Sequence, residues 1–215
     1  MRIFITGIAG FVGNNLRDYL MSQGYDVFGI DNFSNSLYGP ETYQEGVWPQ
    51  DACFDDLAPF IKEADCIIHL AADNSVERSW VDPDGVWENN FKATARIART
   101  ACKHDKKLII ASSSEVIGDR EVITVPGTGP INAYAFSKIC SDMIAQDIYH
   151  NKPKLLTVLR PFNTYGLWHW DGVIARFTKC LLQEKPVPMQ GTGIQARDFV
   201  FVGDVVRAYE LAIKN

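Results

Sequence analysis

The sequence has no excess of positive charge and no long hydrophobic run. Its 21 Lys and Arg residues are outnumbered by 26 Asp and Glu residues, which gives a formal net charge of -5. Nucleic acids and anionic membrane surfaces usually require a basic face on the protein. No apolar stretch approaches the roughly 18 residues that are needed to cross a bilayer. We therefore expect neither a nucleic-acid partner nor a membrane partner.

Cysteine is also scarce. The five cysteines are dispersed along the 215 residues and form no CxxC pair. An odd, scattered set of this kind is typical of reduced thiols in a cytoplasmic protein, and it predicts neither a disulfide framework nor a metal site. The amino-terminal stretch MRIFITGIAGFVG has no small-residue cleavage site, and glycines interrupt it at once. We therefore expect a cytoplasmic location.

Short apolar runs alternate with helical patterns along most of the chain. The runs predict strands over Arg2–Thr6, Asp26–Ile30, Cys66–Leu70, Leu108–Ala111 and Leu155–Leu159, and the periodicity predicts helices over Phe11–Ser22, Val86–His104 and Ala133–Tyr149. This alternation predicts an α/β fold with a doubly wound parallel sheet, Rossmann-like in form. After Pro161, Pro, Gly and Trp become common and the periodicity weakens. We predict a nucleotide-binding domain over 1–160 and a small substrate-binding segment over 161–215.

A glycine-rich turn, Thr6–Gly13 (TGIAGFVG), joins the first strand to the first helix. Glycine accepts positive φ and lets a pyrophosphate approach the backbone, and the helix amino terminus offers free N–H donors. Asp31 lies at the end of the second strand, where a carboxylate reaches the ribose hydroxyls of a bound dinucleotide. That carboxylate repels a 2′-phosphate, so the pattern favours NAD over NADP. The alternative is a tight turn without a ligand.

The segment Tyr134-Ala-Phe-Ser-Lys138 places a phenol and an ammonium one helical turn apart. A nearby cation stabilises phenolate, so the tyrosine becomes a usable acid or base at neutral pH. The serine cluster at Ser112–Ser114 follows a predicted buried strand, and ligands of open α/β sheets sit at such strand ends. A surface Tyr–Lys pair on an amphipathic helix is the alternative.

Taken together, these motifs resemble the extended short-chain dehydrogenase/reductases, specifically the NAD-dependent nucleotide-sugar epimerase/dehydratase family. The resemblance runs nearly the whole length of the chain. It includes TGIAGFVG, DN at Asp31–Asn32, HLAA at His69–Ala72, VERS at Val76–Ser79, NN at Asn89–Asn90, SSSEVIG at Ser112–Gly118, YAFSK at Tyr134–Lys138, RPFNTYG at Arg160–Gly166 and GTGIQARDFVFVGDVV at Gly191–Val206.

The resemblance implies a catalytic set. Tyr134 matches the redox acid/base, Lys138 the residue that holds the nicotinamide ribose, and Ser113 the residue that hydrogen-bonds the sugar hydroxyl. Glu115 matches the base that dehydratases and decarboxylases use, whereas a serine at position 113 is typical of epimerases. The role of Glu115 stays open between that base and a merely hydrogen-bonded carboxylate.

The resemblance also implies two binding sets. Cofactor contacts are implied for Gly7, Gly10, Phe11, Val12, Gly13, Asp31, Asn32, Asp51, Leu70, Ala71, Ala72, Asn90, Ser112, Tyr134, Lys138 and Phe162. Substrate contacts are implied for Asn74, Ser113, Asn163 and Arg197, with Arg197 on the diphosphate because a guanidinium binds phosphate in a bidentate manner. Asp55 is a rival to Asp51 for the contact with adenine.

The implied activity is the conversion of a nucleotide sugar through transient oxidation at C4, as in a 4-epimerase, a 4,6-dehydratase or a decarboxylase. Family members normally continue past the RDFVFVGDVV segment, whereas this sequence ends at Asn215, so the substrate-binding segment is expected to be truncated. The alternative is a non-catalytic NAD-binding module with a regulatory or assembly role. Helices 86–104 and 133–149 match the four-helix dimer interface of the family, which implies a homodimer.

Overall fold

A parallel sheet forms the centre of the molecule. The computed structural model describes residues 1–36, 39–42, 46–117, 132–170, 172–189, 191–194 and 196–215. Within these residues, the central strands are β1 (Arg2–Thr6), β2 (Asp26–Asp31), β3 (Val47–Pro49), β4 (Cys66–His69), β5 (Lys107–Ala111) and β6 (Leu156–Leu159). They pair in the order β3-β2-β1-β4-β5-β6, with every pairing parallel. A smaller parallel pair joins β7 (Asn163–Tyr165) to β8 (Phe199–Phe201).

Helices cover both faces of the central sheet. Helices α2 (Ala58–Glu63), α5 (Ala93–Lys103) and α6 (Ala133–Ile148) pack on one face, and α1 (Phe11–Ser22) and α8 (Val202–Lys214) on the other. The other described helices are α3 (Val76–Val81), α4 (Pro83–Trp87) and α7 (Val173–Leu182). A π-helical turn, Glu88–Lys92, joins α4 to α5. Among the described helices, none has the length and apolarity that a membrane crossing requires.

The strand residues alternate between two hydrophobic layers because successive side chains of a strand point to opposite faces. On β1, Phe4 packs in the layer that contains α5 and α6, whereas Ile3 and Ile5 pack in the layer that contains α1 and α8. On β5, Leu108 and Ile109 divide in the same way. The sheet is therefore buried on both faces, and the predicted doubly wound α/β fold is confirmed.

Helix α8 packs in the core around the central sheet although it lies far beyond residue 160. Val202, Val205, Tyr209 and Ile213 are buried in the same layer as α1 and β1. Their spacing places these apolar residues on one face of the helix, and burial of that face holds the helix against the sheet. The division into 1–160 and 161–215 stays a prediction, and the packing of α8 shows that the later segment contributes to the first unit's core.

The strand order reverses between β1 and β4. From β1 the chain adds β2 and β3 on one side, and β4, β5 and β6 on the other. In open α/β sheets the crevice at such a switch point, beyond the carboxyl ends of the strands, is where ligands bind. The turn after β1 and the loop after β4 both open onto this crevice.

Candidate functional site

The turn after β1 has no room for a side chain at two of its glycines, Gly7 and Gly13. Gly7 has φ +74°, and its N–H donates to the carbonyl of Ile30 at 2.8 Å. A Cβ on Gly7 would lie 2.7 Å from the backbone nitrogen of Ala71, and one on Gly13 would lie 2.1 Å from the carbonyl oxygen of Gly7. Only residues without a side chain fit at these two positions, so the N–H groups that begin α1 stay accessible.

Asp31 ties this turn to the end of β2. One carboxylate oxygen accepts the N–H of Ala9 at 2.9 Å, and the other accepts the N–H of Phe33 at 2.8 Å. Burial raises the pKa of Asp31, and these backbone donors oppose the shift. The N–H of Gly10 also lowers the pKa of Asp31. Because a carboxylate has about four acceptor sites, Asp31 can still accept a further donor, such as a ribose hydroxyl.

Asn32 follows Asp31 in the chain, and its side chain contacts Asp51. The Asn32 amide donates to the Asp51 carboxylate at 2.9 Å, and Asp51 also accepts the N–H of Cys53 at 2.7 Å. The Asp55 carboxylate turns inward and accepts the N–H of Asp51 at 2.6 Å. This arrangement favours Asp51 over Asp55 for a contact with the adenine end of a dinucleotide.

A cavity of about 1110 Å³ opens at the switch point. It has the size of a site for a large organic ligand. Its walls include most of the residues predicted to bind the cofactor, together with one predicted to bind the substrate: Gly7, Gly10, Phe11, Val12, Gly13, Asp31, Asn32, Asp51, Leu70, Ala71, Ala72 and Asn74.

A buried hydrogen-bond chain supports the loop after β4. The Thr94 hydroxyl donates to the carbonyl of Asn90 at 2.6 Å, so its oxygen accepts from Nε2 of His69 at 3.0 Å. Nδ1 of His69 then accepts from the Thr6 hydroxyl at 2.7 Å. Burial first, and the Lys138 charge second, lower the pKa of His69 to about 3. His69 is a neutral core histidine with both nitrogens hydrogen-bonded.

Asn90 acts as a clamp beneath the cavity and is not in its wall. It is 1% exposed, and its side chain bonds the backbone N–H and carbonyl of Asp73 at 2.8 and 2.9 Å. Its remaining amide hydrogen donates to the Ser137 hydroxyl at 2.9 Å. With both amide hydrogens used, the structure gives Asn90 a positioning role, which differs from the predicted cofactor contact. It lies in the π-helical turn, a feature frequent at functional sites.

Ser113, Tyr134 and Lys138 come together at the carboxyl end of β5. The Ser113 hydroxyl lies close enough to the Tyr134 phenol to lower its pKa. One turn further along α6, Lys138 donates to the carbonyl of Ala111 at 2.9 Å. All three side chains are buried. Asn132 begins α6 by accepting the N–H of Ala135 at 2.7 Å, which fixes the helix start next to Tyr134.

The protein's own groups raise the pKa of Tyr134. Burial outweighs the influence of Ser113, which lowers the pKa, and Glu115 and Asp73 add negative charge. The sequence-based expectation is that a nearby cation and the positive nicotinamide together stabilise the phenolate. Burial instead lowers the pKa of Lys138 to about 8, against the opposing charge of Asp142.

Ser112 points away from the predicted cofactor site. Its hydroxyl donates to Asp142 at 2.9 Å, and Arg160 donates to the same carboxylate oxygen through two nitrogens at 2.8 and 3.0 Å. Ser112 therefore joins the ends of β5 and β6 to α6, and its side chain is not directed at a ligand.

The remaining predicted residues lie at the surface. Glu115 is half-buried, and its N–H donates to the Ser113 hydroxyl at 3.2 Å. Phe162 is exposed, and Asn163 uses its amide to hold β7 to β8 by donating to the carbonyl of Asp198 at 2.9 Å. Arg197 is exposed and donates to the carbonyl of Ala196. The structure does not bring Arg197 into the wall of the large cavity.

Some residues of the cavity wall were missed by the sequence analysis. Asp73 forms an ion pair with Arg78 at 3.0 Å. The side-chain oxygen of Asn35 accepts a hydrogen bond from the same guanidinium at 3.3 Å. His169 and Arg176 reach the cavity from the segment after β7. No motif marked Arg176, because only the folded chain brings it into the same wall as the turn after β1. His169 belongs to an aromatic cluster of the sequence, with Trp168 and Trp170, for which stacking on a base or sugar and an exposed partner surface are both open.

Because the ammonium of Lys138 is buried, we expect its removal to stabilise the folded protein. Below pH 8 the folded protein carries this charge at full cost, on the order of 3 kcal/mol from the lowered pKa. Between pH 8 and 10.5 the folded lysine is neutral while the unfolded one stays charged, so stability rises with pH. Lys138→Met also leaves the Ala111 carbonyl unpaired, which costs about 1–3 kcal/mol.

We therefore expect Lys138→Met to raise the free energy of unfolding at pH 7 by up to about 2 kcal/mol, and by less at pH 10. Urea unfolding at both pH values measures the difference. Lys62→Met, on α2, is the matched control, and it should change stability equally at both pH values. The change in free energy of unfolding is taken as Lys138→Met minus wild type at each pH. A smaller gain at pH 7 than at pH 10 contradicts this prediction.

Comparison with known proteins places this arrangement in context. Residues 3–215 match the model of the NAD dependent epimerase/dehydratase family. The chain is 32% identical over 226 residues to a UDP-glucose 4-epimerase of Mycolicibacterium smegmatis, with 97% of this chain and 72% of the relative covered. It is 30% identical over 233 residues to a UDP-N-acetyl-alpha-D-glucosaminuronate decarboxylase of Bacillus cytotoxicus, covering 96% and 69%. It is similar to the structure of UDP-glucuronic acid 4-epimerase from Bacillus cereus in complex with UDP-glucuronic acid and NAD, with TM-score 0.85, 29% identity and coverage of 100% and 74%.

Proposed function

Because the chain belongs to the NAD-dependent epimerase/dehydratase family, we propose that it binds NAD and converts a nucleotide sugar through transient oxidation at C4. The relatives are named as 4-epimerases and as a decarboxylase. The substrate class is a sugar joined to a nucleoside diphosphate, and the product is the 4-epimer or a dehydrated or decarboxylated sugar. Such a reaction serves carbohydrate biosynthesis.

The residues of the large cavity fit NAD. The turn at Gly7 and Gly13 has no room for a Cβ, which leaves space for a diphosphate against the backbone. Asp31 offers oxygens for the adenosine ribose, and Asp51 lies next along the wall. The carboxylate of Asp31 disfavours the 2′-phosphate of NADP. When bound, NAD accepts the hydride from C4 and later returns it.

The observation that carries the proposal is the buried group at the end of β5. Tyr134, buried beside Ser113, takes the proton of the C4 hydroxyl, and Ser113 orients that hydroxyl. Lys138, held by the carbonyl of Ala111, supplies positive charge one turn away. A proton relay of this kind has a use in catalysis and none in simple binding, so this group favours an enzyme over a non-catalytic NAD-binding module.

Glu115 decides between product classes in this proposal. A C4 ketone acidifies the neighbouring C–H, and a carboxylate beside it removes that proton when water is eliminated. In a decarboxylation the bond to the departing CO2 breaks instead, and the carbanion that the ketone stabilises then gains a proton. Glu115 follows Ser113 by two residues, and its negative charge is felt by Tyr134. If Glu115 is not used, hydride return to the other face of C4 gives the epimer.

We also propose a homodimer and a cytoplasmic location. Phe136 and Met143 lie two turns apart on α6 and are 51% and 61% exposed, and Trp87 stacks on Phe136 with ring centroids 5.9 Å apart. A second copy would cover this apolar face. All five cysteines are free, which is typical of a reducing compartment.

The test is conversion of defined nucleotide sugars, followed by NMR. The protein with NAD is incubated with UDP-glucose, UDP-glucuronate and the corresponding GDP- and dTDP-sugars in deuterium oxide. An epimerase gives a 4-epimer without solvent deuterium at C5, whereas a dehydratase gives a deuterated, dehydrated product. Binding of NAD without turnover of any of these sugars would favour the non-catalytic module instead.

A further inference from the structure

The segment between β7 and α7 turns back over the first helix. Gly166 has φ +145°, and Trp168 has φ +71°, a left-handed conformation that a bulky residue rarely adopts. The N–H of His169 donates to the carbonyl of Gly166 at 3.2 Å and closes the turn. We call residues Leu167–Trp170 the strap. Its backbone takes a costly conformation, so contacts elsewhere must hold it in place.

Two contacts attach the strap to the start of α1. The ring of His169 stacks on the ring of Phe11, with centroids 4.3 Å apart and an interplanar angle of 7°. One turn along the helix, the amide of Asn15 donates to the carbonyl of Leu167 at 2.8 Å and to the carbonyl of Phe11 at 2.9 Å. The strap and the phosphate-binding turn therefore form one wall.

This wall faces the place where a diphosphate would lie. Trp168, His169 and Trp170 line the same cavity as the glycines of the turn. Phe11 is the first residue of α1, so an imidazole stacked on it stands beside the free N–H groups of the helix. Imidazole N–H groups donate to phosphate oxygens, which suits a ligand of this class.

We propose that the strap, through His169, closes the diphosphate site over NAD and slows dissociation of the cofactor. The inference rests on the proposed function. Because that reaction takes a hydride and returns it, the cofactor ends each turnover unchanged and has no need to leave. A strap that retains NAD keeps the protein loaded between turnovers.

The experiment measures the rate at which labelled NAD leaves the protein in an excess of unlabelled NAD. His169→Ala removes both the ring stack and the N–H groups, and we expect dissociation to become about tenfold faster. His169→Phe keeps a ring for the stack, so we expect about a threefold increase. Asn15→Ala frees the strap backbone and should also speed dissociation. Met21→Ala, exposed on the same helix, is the control and should leave the rate unchanged.

An unchanged dissociation rate in His169→Ala, with thermal unfolding of the NAD-free protein as in the wild type, would overturn the proposal. The same acceleration in Met21→Ala would overturn it as well. Affinity for UDP is measured in parallel and should not change. A loss of UDP affinity with an unchanged NAD rate would assign the strap to the other diphosphate and overturn the inference. Failure of the wild type to bind NAD would instead count against the proposed function.

Discussion

We expect Tyr134→Phe to lower turnover of the nucleotide sugar by about 10²–10⁴-fold, the range that a positioned general acid or base contributes. The variant removes the phenol oxygen that we propose exchanges the C4 proton, and it leaves the ring in its buried position. The Ser113 hydroxyl stays at the end of β5, where it accepts the N–H of Glu115. Because the ring volume is kept, the fold and the cavity for NAD should persist. Steady-state turnover and NAD binding are measured on the same preparation.

The matched control for this variant is Tyr149→Phe. Tyr149 is also buried and follows the same helix, and its hydroxyl donates to the carbonyl of Lys106 at 3.0 Å. Its loss costs about 1 kcal/mol of stability, as expected for one hydrogen bond, and leaves turnover unchanged. Turnover by Tyr134→Phe above a tenth of the wild-type value shows that another group moves the proton.

The pH dependence of turnover follows from the environment of Tyr134. Burial and the charges of Glu115 and Asp73 raise the pKa of the phenol, so the phenolate is scarce at neutral pH. Turnover should therefore increase as pH rises above neutrality, until Lys138, whose pKa burial lowers to about 8, loses its charge. Glu115→Gln removes one of the negative charges, and it should move the rising limb of the profile to lower pH.

The elements around the phosphate-binding turn were predictable because their signals are local. The bounds of β1 and α1 agree with the prediction, since glycines delimit both elements in the sequence. The three-residue strand β3 and the short helix α2 were not predicted, because neither is long enough to show a period. The predicted helix over 86–104 is interrupted by the π-helical turn, which periodicity does not reveal.

The candidate site was predictable as a set of motifs but not as an environment. The glycines of the turn after β1 and the carboxylate of Asp31 line one cavity, as expected. The raised pKa of Tyr134 was not predicted, because it depends on burial and on Asp73, which comes from another loop. Asn90 and Ser112 carry the right residue types, yet their side chains bond Asp73 and Asp142 inside the protein. Contacts between distant parts of the chain decide such orientations.

Gly13→Ala should weaken both the fold and the NAD site. At an open helical position, alanine is better than glycine by about 1 kcal/mol. At Gly13 the new Cβ would lie 2.1 Å from the carbonyl oxygen of Gly7 and 2.7 Å from that of Ile8, and both neighbours are backbone atoms that cannot rotate away. Overpacking of this kind costs about 1–3 kcal/mol and so outweighs the helix preference.

The displaced turn also carries the N–H groups proposed for the diphosphate, so NAD affinity should fall by about tenfold or more, a change of 1.4 kcal/mol or greater. Urea unfolding measures the first effect, and the rise in Tm on adding NAD measures the second. Gly24→Ala is the matched control. Gly24 has φ +83° with nothing within 4 Å of an added Cβ, so alanine costs about 1–2 kcal/mol of backbone strain far from the cavity. Gly24→Ala should lower the stability of the protein and leave the rise in Tm on adding NAD unchanged. An equal loss of that rise in both variants would trace the effect of Gly13→Ala to general destabilisation, and the close packing of the turn would then have no special part in holding the cofactor.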